Sequence, residues 1–304
     1  MAISDELGGR RTVEVPAGTL EYRERGTGTP VVFAHGAAVN GDIWRKVAPE
    51  LAADYRCVIP DLPLGGHSIP LAGQPDLSLF GLAEILASFL DALDLSDVTL
   101  VANDTGGAIS QALVGRRPER VGRLVLTSCD AFDNYPPKAI LYLKPTSRVA
   151  PAFWLLTQSM RLKVFQRTPI AYGWATHDAI DPRIMKSYLA GLRTSAGVRR
   201  DFARLLQAAD PRDMRRASEG IDSFDRPALV AWAADDRFFP REHGARLAEL
   251  LPSGRFELVD GSRTFIPEDR PARLVGLVRE FLAEHDRGGV PLSDSRHPVP
   301  PSSE

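Results

Sequence analysis

Short apolar segments alternate with longer amphipathic segments along most of this 304-residue chain. Seven of the short segments are rich in Val, Ile, Leu and aromatic residues, and they have the length of buried β-strands. These segments are residues 19–25, 31–33, 57–59, 98–101, 124–126, 229–232 and 256–259. The alternation predicts a mostly parallel sheet with helices on both of its faces.

Two of the intervening segments have the period of amphipathic helices. Residues 41–55 place Ile43, Val47 and Leu51 on one helical face, and residues 78–95 repeat leucine and isoleucine in the same way. We expect each segment to form a crossover helix between two strands.

The alternation stops after Leu126 and resumes at Pro227. The residues between them contain helical patterns interrupted by prolines, and they are rich in aromatic side chains. An insertion of this kind predicts a lid over the carboxyl edge of the sheet, where open α/β sheets bind ligands. The predicted domains are a core of residues 12–131 and 224–286, a helical cap of residues 132–223 and a disordered tail of residues 287–304.

Composition limits the partners that the chain can have. The 37 basic and 39 acidic side chains nearly cancel, and no dense Lys/Arg cluster predicts binding to nucleic acid. No run of 18 apolar residues predicts a membrane span, and acidic residues stand where a signal peptide would be apolar.

Cys57 and Cys129 lie in apolar segments and are predicted to be buried thiols. We therefore expect a cytoplasmic protein that acts on a small molecule as a monomer or homodimer.

The stretch "VANDTGGAISQALV" predicts a strand that turns sharply into a helix. Ala102 and Gly106 are small residues two positions before and two positions after Asp104, and they allow the strand and the helix to approach closely. This spacing is typical of a nucleophile elbow, with a carboxylate in place of the usual serine. The alternative interpretation is that Asp104 only caps the helix.

Other motifs stand in a fixed order around this turn. "PVVFAHG" ends a strand at His35, "PDLPLGGHS" and "RRPERVGRLVL" follow in turn, and "LVAWAADDRFFP" ends a strand before Asp236. In this order the chain resembles the α/β-hydrolase superfamily over residues 19–284. The resemblance implies a mostly parallel eight-stranded sheet with helices on both faces and a helical cap.

An aspartate at the elbow is similar to the branch of epoxide hydrolases and haloalkane dehalogenases. In that branch the carboxylate attacks carbon, and a histidine-activated water then hydrolyses the ester. The resemblance implies that Asp104 is the nucleophile, that Asp236 is the triad acid and that the oxyanion hole is formed by the N–H groups of Ala37 and Thr105. Dehalogenases resemble one another in having Trp at the position of Thr105 and a polar residue at that of Ala37, so a dehalogenase is disfavoured.

The usual catalytic histidine is missing, because "VDGSRTFIPEDRP" has Thr264 at its position. His67 is the most plausible replacement by chain position, while His177 and His243 are better interpreted as surface residues. Without a base the covalent ester would persist. We therefore expect Asp104 to act as a base on water, or on a substrate that then cyclises or rearranges. Asp236, left without a histidine, is expected to pair with Arg263 or Arg237.

Aromatic residues of the lid predict a pocket for a flat apolar substrate. Tyrosine hydroxyls, or the indole N–H of Trp154, could donate a proton or hydrogen bond to the opening ring, although packing within the lid explains each residue better when it is taken alone. The candidate donors and pocket residues are Tyr142, Tyr172, Tyr188, Trp154, Phe153, His35 and Thr264.

The preferred function is an epoxide hydrolase for a bulky apolar or aromatic, polyketide-like substrate, with no cofactor and no metal. Two alternatives stay open. One is a cyclase, lyase or isomerase that uses the same pocket without hydrolysis, and the other is a binding protein without catalytic activity.

Overall fold

A computed structural model describes residues 2–286, so the predicted tail lies outside the described residues. One sheet contains eight strands in the order β1-β2-β4-β3-β5-β6-β7-β8. The pairs β1–β2 and β2–β4 are antiparallel, and the remaining pairs are parallel. The predicted mostly parallel sheet is confirmed. The strands are β1 Gly9–Val15, β2 Gly18–Arg25, β3 Pro30–Ala34, β4 Arg56–Pro60, β5 Val98–Asp104, β6 Val121–Cys129, β7 Ala228–Ala233 and β8 Gly254–Val259.

Helices cover both faces of the sheet, and six consecutive α-helices, α4 to α9, are inserted between β6 and β7. We call this insertion the cap. The helices are α1 Ala48–Leu51, α2 Leu79–Ala92, α3 Thr105–Val114, α4 Leu143–Thr146, α5 Ala150–Ser159, α6 Lys163–Gln166, α7 Pro182–Thr194, α8 Ala196–Ala208, α9 Pro211–Glu219, α10 Arg241–Leu250, α11 Ile266–Asp269 and α12 Pro271–Asp286. Short 3-10 helices are formed by Asp5–Leu7, Gly41–Trp44, Pro118–Arg120, Lys138–Ile140 and Gly220–Ser223.

The prediction of one crossover helix over residues 41–55 was wrong. The segment forms a 3-10 helix at Gly41–Trp44 and a single α-helical turn, α1. Pro49 lies in the first turn of α1 and has no N–H to donate, so it cannot continue a helix that began earlier. Ile43, Val47 and Leu51 are nevertheless all buried, as their spacing predicts.

The first strand was also missed. β1 begins at Gly9, before the predicted core boundary at residue 12, and Ala2 and Leu7 are buried in front of it. β1 is an edge strand whose side chains are mostly exposed and often charged. Charged edge strands resist unwanted pairing, and for the same reason they lack the apolar signal on which strand prediction depends.

Alternate residues of the central strands pack into two hydrophobic clusters, one on each side of the sheet. On β3, Val31 and Phe33 belong to the cluster beneath α12, whereas Val32 and Ala34 belong to the cluster beneath α2 and α3. Both cysteines are buried free thiols, as predicted. None of the helices in residues 2–286 is long and apolar enough to cross a membrane.

The parallel register brings the carboxyl ends of the central strands together. Ala34 at the end of β3 pairs with Ala102 on β5, and Asp104 pairs with Cys129 at the end of β6. The loops that leave these strands therefore meet at one edge of the sheet, on which the cap is inserted.

Gly106 provides a test of how closely β3 approaches α3. A Cβ atom at this position would lie 2.3 Å from the Ala34 carbonyl oxygen and 2.6 Å from that of His35. Because both obstacles are backbone atoms, we expect Gly106→Ala to lower the free energy of unfolding by about 1–3 kcal/mol or more. The measurement is urea-induced unfolding followed by circular dichroism.

The matched control is Gly276→Ala on α12, where no atom lies within 4 Å of the added Cβ. Replacing glycine by alanine inside a helix contributes roughly 0.5–1 kcal/mol of stability, so this variant should be slightly stabilised. Equal effects of the two substitutions would contradict the proposed steric origin.

Candidate active site

Asp104 occupies a strained turn between β5 and α3. Its backbone has a φ of 55° and a ψ of −130°, a conformation that costs a non-glycine residue free energy and is concentrated at functional sites. The side chain makes no capping hydrogen bond with the later residues of α3. The structure therefore favours the nucleophile elbow over the interpretation of Asp104 as a helix cap.

Two backbone N–H groups, those of Ala37 and Thr105, donate hydrogen bonds to the Asp104 carboxylate. The loop that carries Ala37 is itself strained, because the next residue, Ala38, has a φ of 56°. Ala38 is held from two sides, since its N–H donates to the Leu64 carbonyl oxygen at 2.7 Å and its own carbonyl oxygen accepts from the Tyr172 hydroxyl at 2.6 Å. Both predicted oxyanion donors thus lie beside Asp104.

Burial raises the pKa of Asp104 to about 7. The N–H groups of Thr105 and Ala37 oppose this shift because they stabilise the charged carboxylate, whereas the nearby Asp236 carboxylate adds to it. Near neutral pH the group is therefore poised between acid and base.

A third carboxyl group, Asp130, was missed by the sequence analysis. It follows β6 directly, is buried, and its Oδ2 lies 3.3 Å from the Thr105 hydroxyl, which also bonds Asp104. Burial, together with the charge of Asp104, raises the pKa of Asp130 well above its usual range. The charged form of Asp130 is therefore disfavoured beside Asp104. Asp104, Asp130 and Asp236 each lie at the carboxyl end of a different central strand. This shared position in the sheet is the signal that could have revealed Asp130.

Asp236 contacts Thr264, which stands at the position where the sequence resemblance implies a histidine. The Thr264 hydroxyl donates to Asp236 Oδ1 at 2.9 Å, as do the N–H groups of Phe238 and Phe239. The expected pairing with Arg263 or Arg237 was wrong. The Arg263 guanidinium instead donates to the carbonyl oxygens of two cap residues, Gly173 and Thr176.

The loop that carries Thr264 is tied to the elbow through Asn103. The Asn103 side-chain amide donates to the Thr264 carbonyl oxygen at 2.8 Å and to the Thr127 hydroxyl at 3.0 Å. Thr264 is thus fixed at both its main chain and its side chain. The loop that carries Thr264 is therefore held by hydrogen bonds to Asn103 and Asp236.

A cavity of about 150 Å³ lies between the sheet edge and the cap, with Asp104 in its wall. Its lining is mostly apolar, and the predicted pocket residues Phe153, Tyr142, Tyr172 and Thr264 belong to it. None of its lining side chains, which all belong to residues 2–286, is a histidine, lysine or arginine. The other lining residues are Ala37, Ala38, Pro137, Ile140, Leu143, Leu156, Thr157, Met160, Ile170, Ala171, Ala175, Leu189, Leu192, Phe202, Leu206, Phe238, Phe239 and Phe265.

Three predicted contributors do not reach the cavity. Trp154 is 48% exposed on the outer side of α5, because the residue before it, Phe153, takes the inward position. Tyr188 is buried elsewhere and donates to Glu268 at 3.1 Å. His35 is completely buried, and burial lowers its pKa to about 4.

Neutral His35 has a structural role. Its Nδ1 donates to the Gly36 carbonyl oxygen, and its Nε2 accepts from the Leu62 N–H, both at 2.8 Å. Because both ring nitrogens are engaged, His35 joins the loop after β3 to the loop after β4. It orients the backbone that presents the Ala37 N–H.

The candidate replacement histidines are engaged outside the cavity. His67 is buried with its Nε2 3.6 Å from Asp201, and His177 lies 3.0 Å from Asp235. His243 packs edge-on against Phe132. A relocated triad is therefore not formed by the described part of the chain. The same part contains no cluster of three or more side chains arranged to hold a metal ion.

Comparisons with known proteins agree with this architecture. Residues 29–140 match the family model of the alpha/beta hydrolase fold. An alpha/beta hydrolase fold protein from Burkholderia ambifaria superimposes with a TM-score of 0.76 at 24% identity, covering 90% of this chain and 97% of that one. The protein has the α/β-hydrolase fold.

Two curated relatives are hydrolases of different kinds. A 2-hydroxy-6-oxononadienedioate/2-hydroxy-6-oxononatrienedioate hydrolase from Cupriavidus pinatubonensis is 28% identical over 83% of this chain and 88% of its own length. A haloalkane dehalogenase from Mesorhizobium japonicum is 41% identical, but only over 37% of this chain and 36% of its own length. This α/β-hydrolase-fold protein therefore resembles enzymes that cleave bonds with water.

We predict that the Thr264 hydroxyl is needed to keep the Asp236 carboxylate in place. Thr264→Val preserves the shape of the side chain but removes a donor to a largely buried acid, whose pKa burial already raises. The free energy of unfolding at pH 7 should fall by about 1–3 kcal/mol in urea denaturation. Thr264→Ser, which keeps the hydroxyl, is the control, and an equal loss in both variants would contradict this role.

A second prediction concerns stability and pH at Asp104. Because its folded pKa is raised from 3.8 to about 7, the unfolded chain loses the proton first as pH rises, and the folded state is progressively destabilised between these values. Asp104→Asn should therefore match the wild type near pH 4. It should be more stable above pH 7, by at most about 4 kcal/mol, since each pH unit of pKa difference corresponds to about 1.4 kcal/mol.

The measurement for Asp104→Asn is chemical denaturation of both proteins at a series of pH values. Asp235→Asn is the control, because Asp235 is half exposed and lies outside the cavity lining. A stability difference at Asp104 that does not depend on pH would contradict the raised pKa.

Proposed function

We propose that this α/β-hydrolase-fold protein is an epoxide hydrolase for a bulky apolar or aromatic, polyketide-like substrate. The observation that supports the proposal most strongly is the Asp104 carboxylate, which lies in the wall of an apolar cavity whose lining contains no histidine. A carboxylate with a pKa of about 7 can accept a proton without a histidine.

The charge of the cavity bears on the substrate class. The relative from Cupriavidus is named for substrates with two carboxylates, and recognition of such groups calls for Arg or Lys side chains. The cavity lining supplies neither, and its own charge is the carboxyl group of Asp104. We therefore assign an uncharged substrate to this protein, although the two proteins are similar in sequence.

In the proposed reaction, Asp104 takes a proton from a water molecule while the water oxygen attacks an epoxide carbon. The ring C–O bond breaks, and its electron pair remains on the ring oxygen. Tyr172 supports protonation of that oxygen, since it lines the cavity and burial raises its phenol pKa, which keeps the phenol protonated. Asp104 then returns its proton to the tyrosine, and a diol leaves.

Tyr172 would have to turn for this step, because its hydroxyl now donates to the Ala38 carbonyl oxygen. Tyr142 is the second candidate donor, and its hydroxyl donates to the Ile170 carbonyl oxygen at 2.9 Å. Both bonds are made to backbone acceptors that solvent or substrate can replace. The N–H groups of Ala37 and Thr105 meanwhile hold the carboxylate in the orientation for attack or proton transfer.

Direct attack by Asp104 on the epoxide is the alternative route within the same function. It would leave an ester that needs an activated water, and general base assistance contributes roughly 10²- to 10⁴-fold in rate. The absence of a histidine from the cavity lining therefore favours the single-step route.

A second candidate function is an isomerase, cyclase or lyase in which Asp104 removes a proton from carbon. The apolar lining favours it, since a pocket with few polar groups holds little water. The reaction in ¹⁸O-labelled water distinguishes the candidates, because only hydrolysis places the label in the product.

We predict that Asp104→Asn lowers kcat on an aromatic epoxide by at least about 100-fold, because the variant has no base. The wild-type rate should rise with pH to a plateau, with a midpoint near 7, as Asp104 loses its proton. Product analysis by chromatography measures both effects, and Asp235→Asn should retain the wild-type rate.

Intact-protein mass spectrometry during turnover separates the two routes. The absence of an adduct supports Asp104 as the base, whereas a covalent adduct on Asp104 would show nucleophilic attack. Full activity of Asp104→Asn would overturn the proposed function.

A further inference from the structure

Exposed hydrophobic side chains are concentrated on one stretch of the cap. Of the eleven large hydrophobic residues that are exposed in residues 2–286, eight lie between positions 141 and 170. We call this group the cap patch. Its members are Leu141, Val149, Trp154, Leu155, Leu162, Val164, Phe165 and Ile170. Such concentration marks an interaction site, whereas single exposed hydrophobic residues are ordinary.

Charge is distributed just as unevenly. The chain carries a formal net charge of −2, but residues 134–177 contain six Lys and Arg residues and no Asp or Glu. The cations are Lys138, Lys144, Arg148, Arg161, Lys163 and Arg167, and all except Lys144 are exposed. Apolar and cationic groups therefore occur together along one stretch of the cap that has no acidic residue of its own.

Helix α5 is apolar on both of its sides. Phe153, Leu156 and Met160 line the cavity, while Trp154 and Leu155 are 48% and 64% exposed. A helix that is apolar all round is normally buried on all sides. The outer side of α5 has no cover in the described chain, and only the thickness of this helix separates it from the cavity.

We propose that the cap patch docks on the surface of an anionic lipid membrane. Apolar side chains, with an exposed tryptophan among them, enter the boundary between headgroups and acyl chains, while Lys and Arg contact the phosphates. An apolar substrate concentrated in the bilayer would then reach the cavity across the cap. This contact is peripheral, so it differs from the sequence-based expectation of no membrane partner, which rested on the lack of a spanning segment.

Charge argues against a second copy of the chain as the occupant. A symmetric dimer through the cap patch would bring two sets of cations together without an acidic residue from the same stretch to neutralise them. Like charges placed opposite each other disfavour association, whereas an anionic lipid surface attracts every one of these cations.

Vesicle co-sedimentation of the full-length protein tests the apolar contribution. We expect binding to vesicles of equimolar phosphatidylcholine and phosphatidylglycerol, and much weaker binding to phosphatidylcholine alone. The variant Leu155→Glu with Val164→Glu should lose at least about tenfold in partition coefficient. Leu258→Glu is the control, because Leu258 is 37% exposed on β8, outside the cap.

A second variant tests the charge contribution. Replacing Arg161, Lys163 and Arg167 by Gln should lower the partition coefficient at least about tenfold, since each cation near an anionic surface adds to the attraction. The control replaces by Gln three exposed arginines that lie outside residues 134–177, namely Arg215, Arg237 and Arg241. Added salt should weaken wild-type binding through screening.

Circular dichroism checks that each variant is folded, and analytical ultracentrifugation measures its oligomeric state. The proposal is overturned if the wild type does not bind anionic vesicles, or if the cap variants bind as tightly as their controls. A dimer that Val164→Glu dissociates, without vesicle binding, would assign the patch to a second copy instead. None of these results depends on the reaction at Asp104.

Discussion

The backbone strain at Asp104 is the constraint around which the other elements of the site are arranged. A residue with a positive φ between a strand and a helix persists only when its neighbours hold it in place. Here Gly106 lets α3 approach the end of β3, and the N–H groups of Ala37 and Thr105 take up the carboxylate. The turn and the loop after β3 together fix the orientation of the Asp104 carboxylate.

Thr264 stands at the position where the sequence resemblance implies a histidine. The threonine hydroxyl occupies one hydrogen-bonding position of Asp236, so the loop retains its anchor to the sheet. It brings no positive charge, however, and Asp104 is left with two other carboxyl groups nearby. Burial raises the pKa values of Asp104, Asp130 and Asp236, and the charge of a neighbouring carboxylate adds to the shift at Asp104 and Asp130. A raised pKa is the property that the proposed role of Asp104 as a base requires.

The cap presents apolar side chains on both its inner and its outer surface. Its inner side encloses an apolar cavity, and its outer side exposes apolar and cationic groups. Tyr172 joins the cap to the core, since its ring lines the cavity and its hydroxyl bonds the Ala38 carbonyl oxygen. The lining of the cavity and the backbone next to Ala37 are thus connected through one side chain.

Local patterns in the sequence were sufficient for the alternation of strands and helices, the elbow at Asp104 and the absence of the usual histidine. These features depend on residue type and spacing within short segments. Which groups surround Asp104 was decided by tertiary structure, because Asp130, Thr264 and Tyr172 come from distant parts of the chain. Tertiary structure also placed Trp154 outside and Phe153 inside, although both are aromatic neighbours on one helix. Composition predicts that such residues form a pocket, but only packing determines which side of the helix faces it.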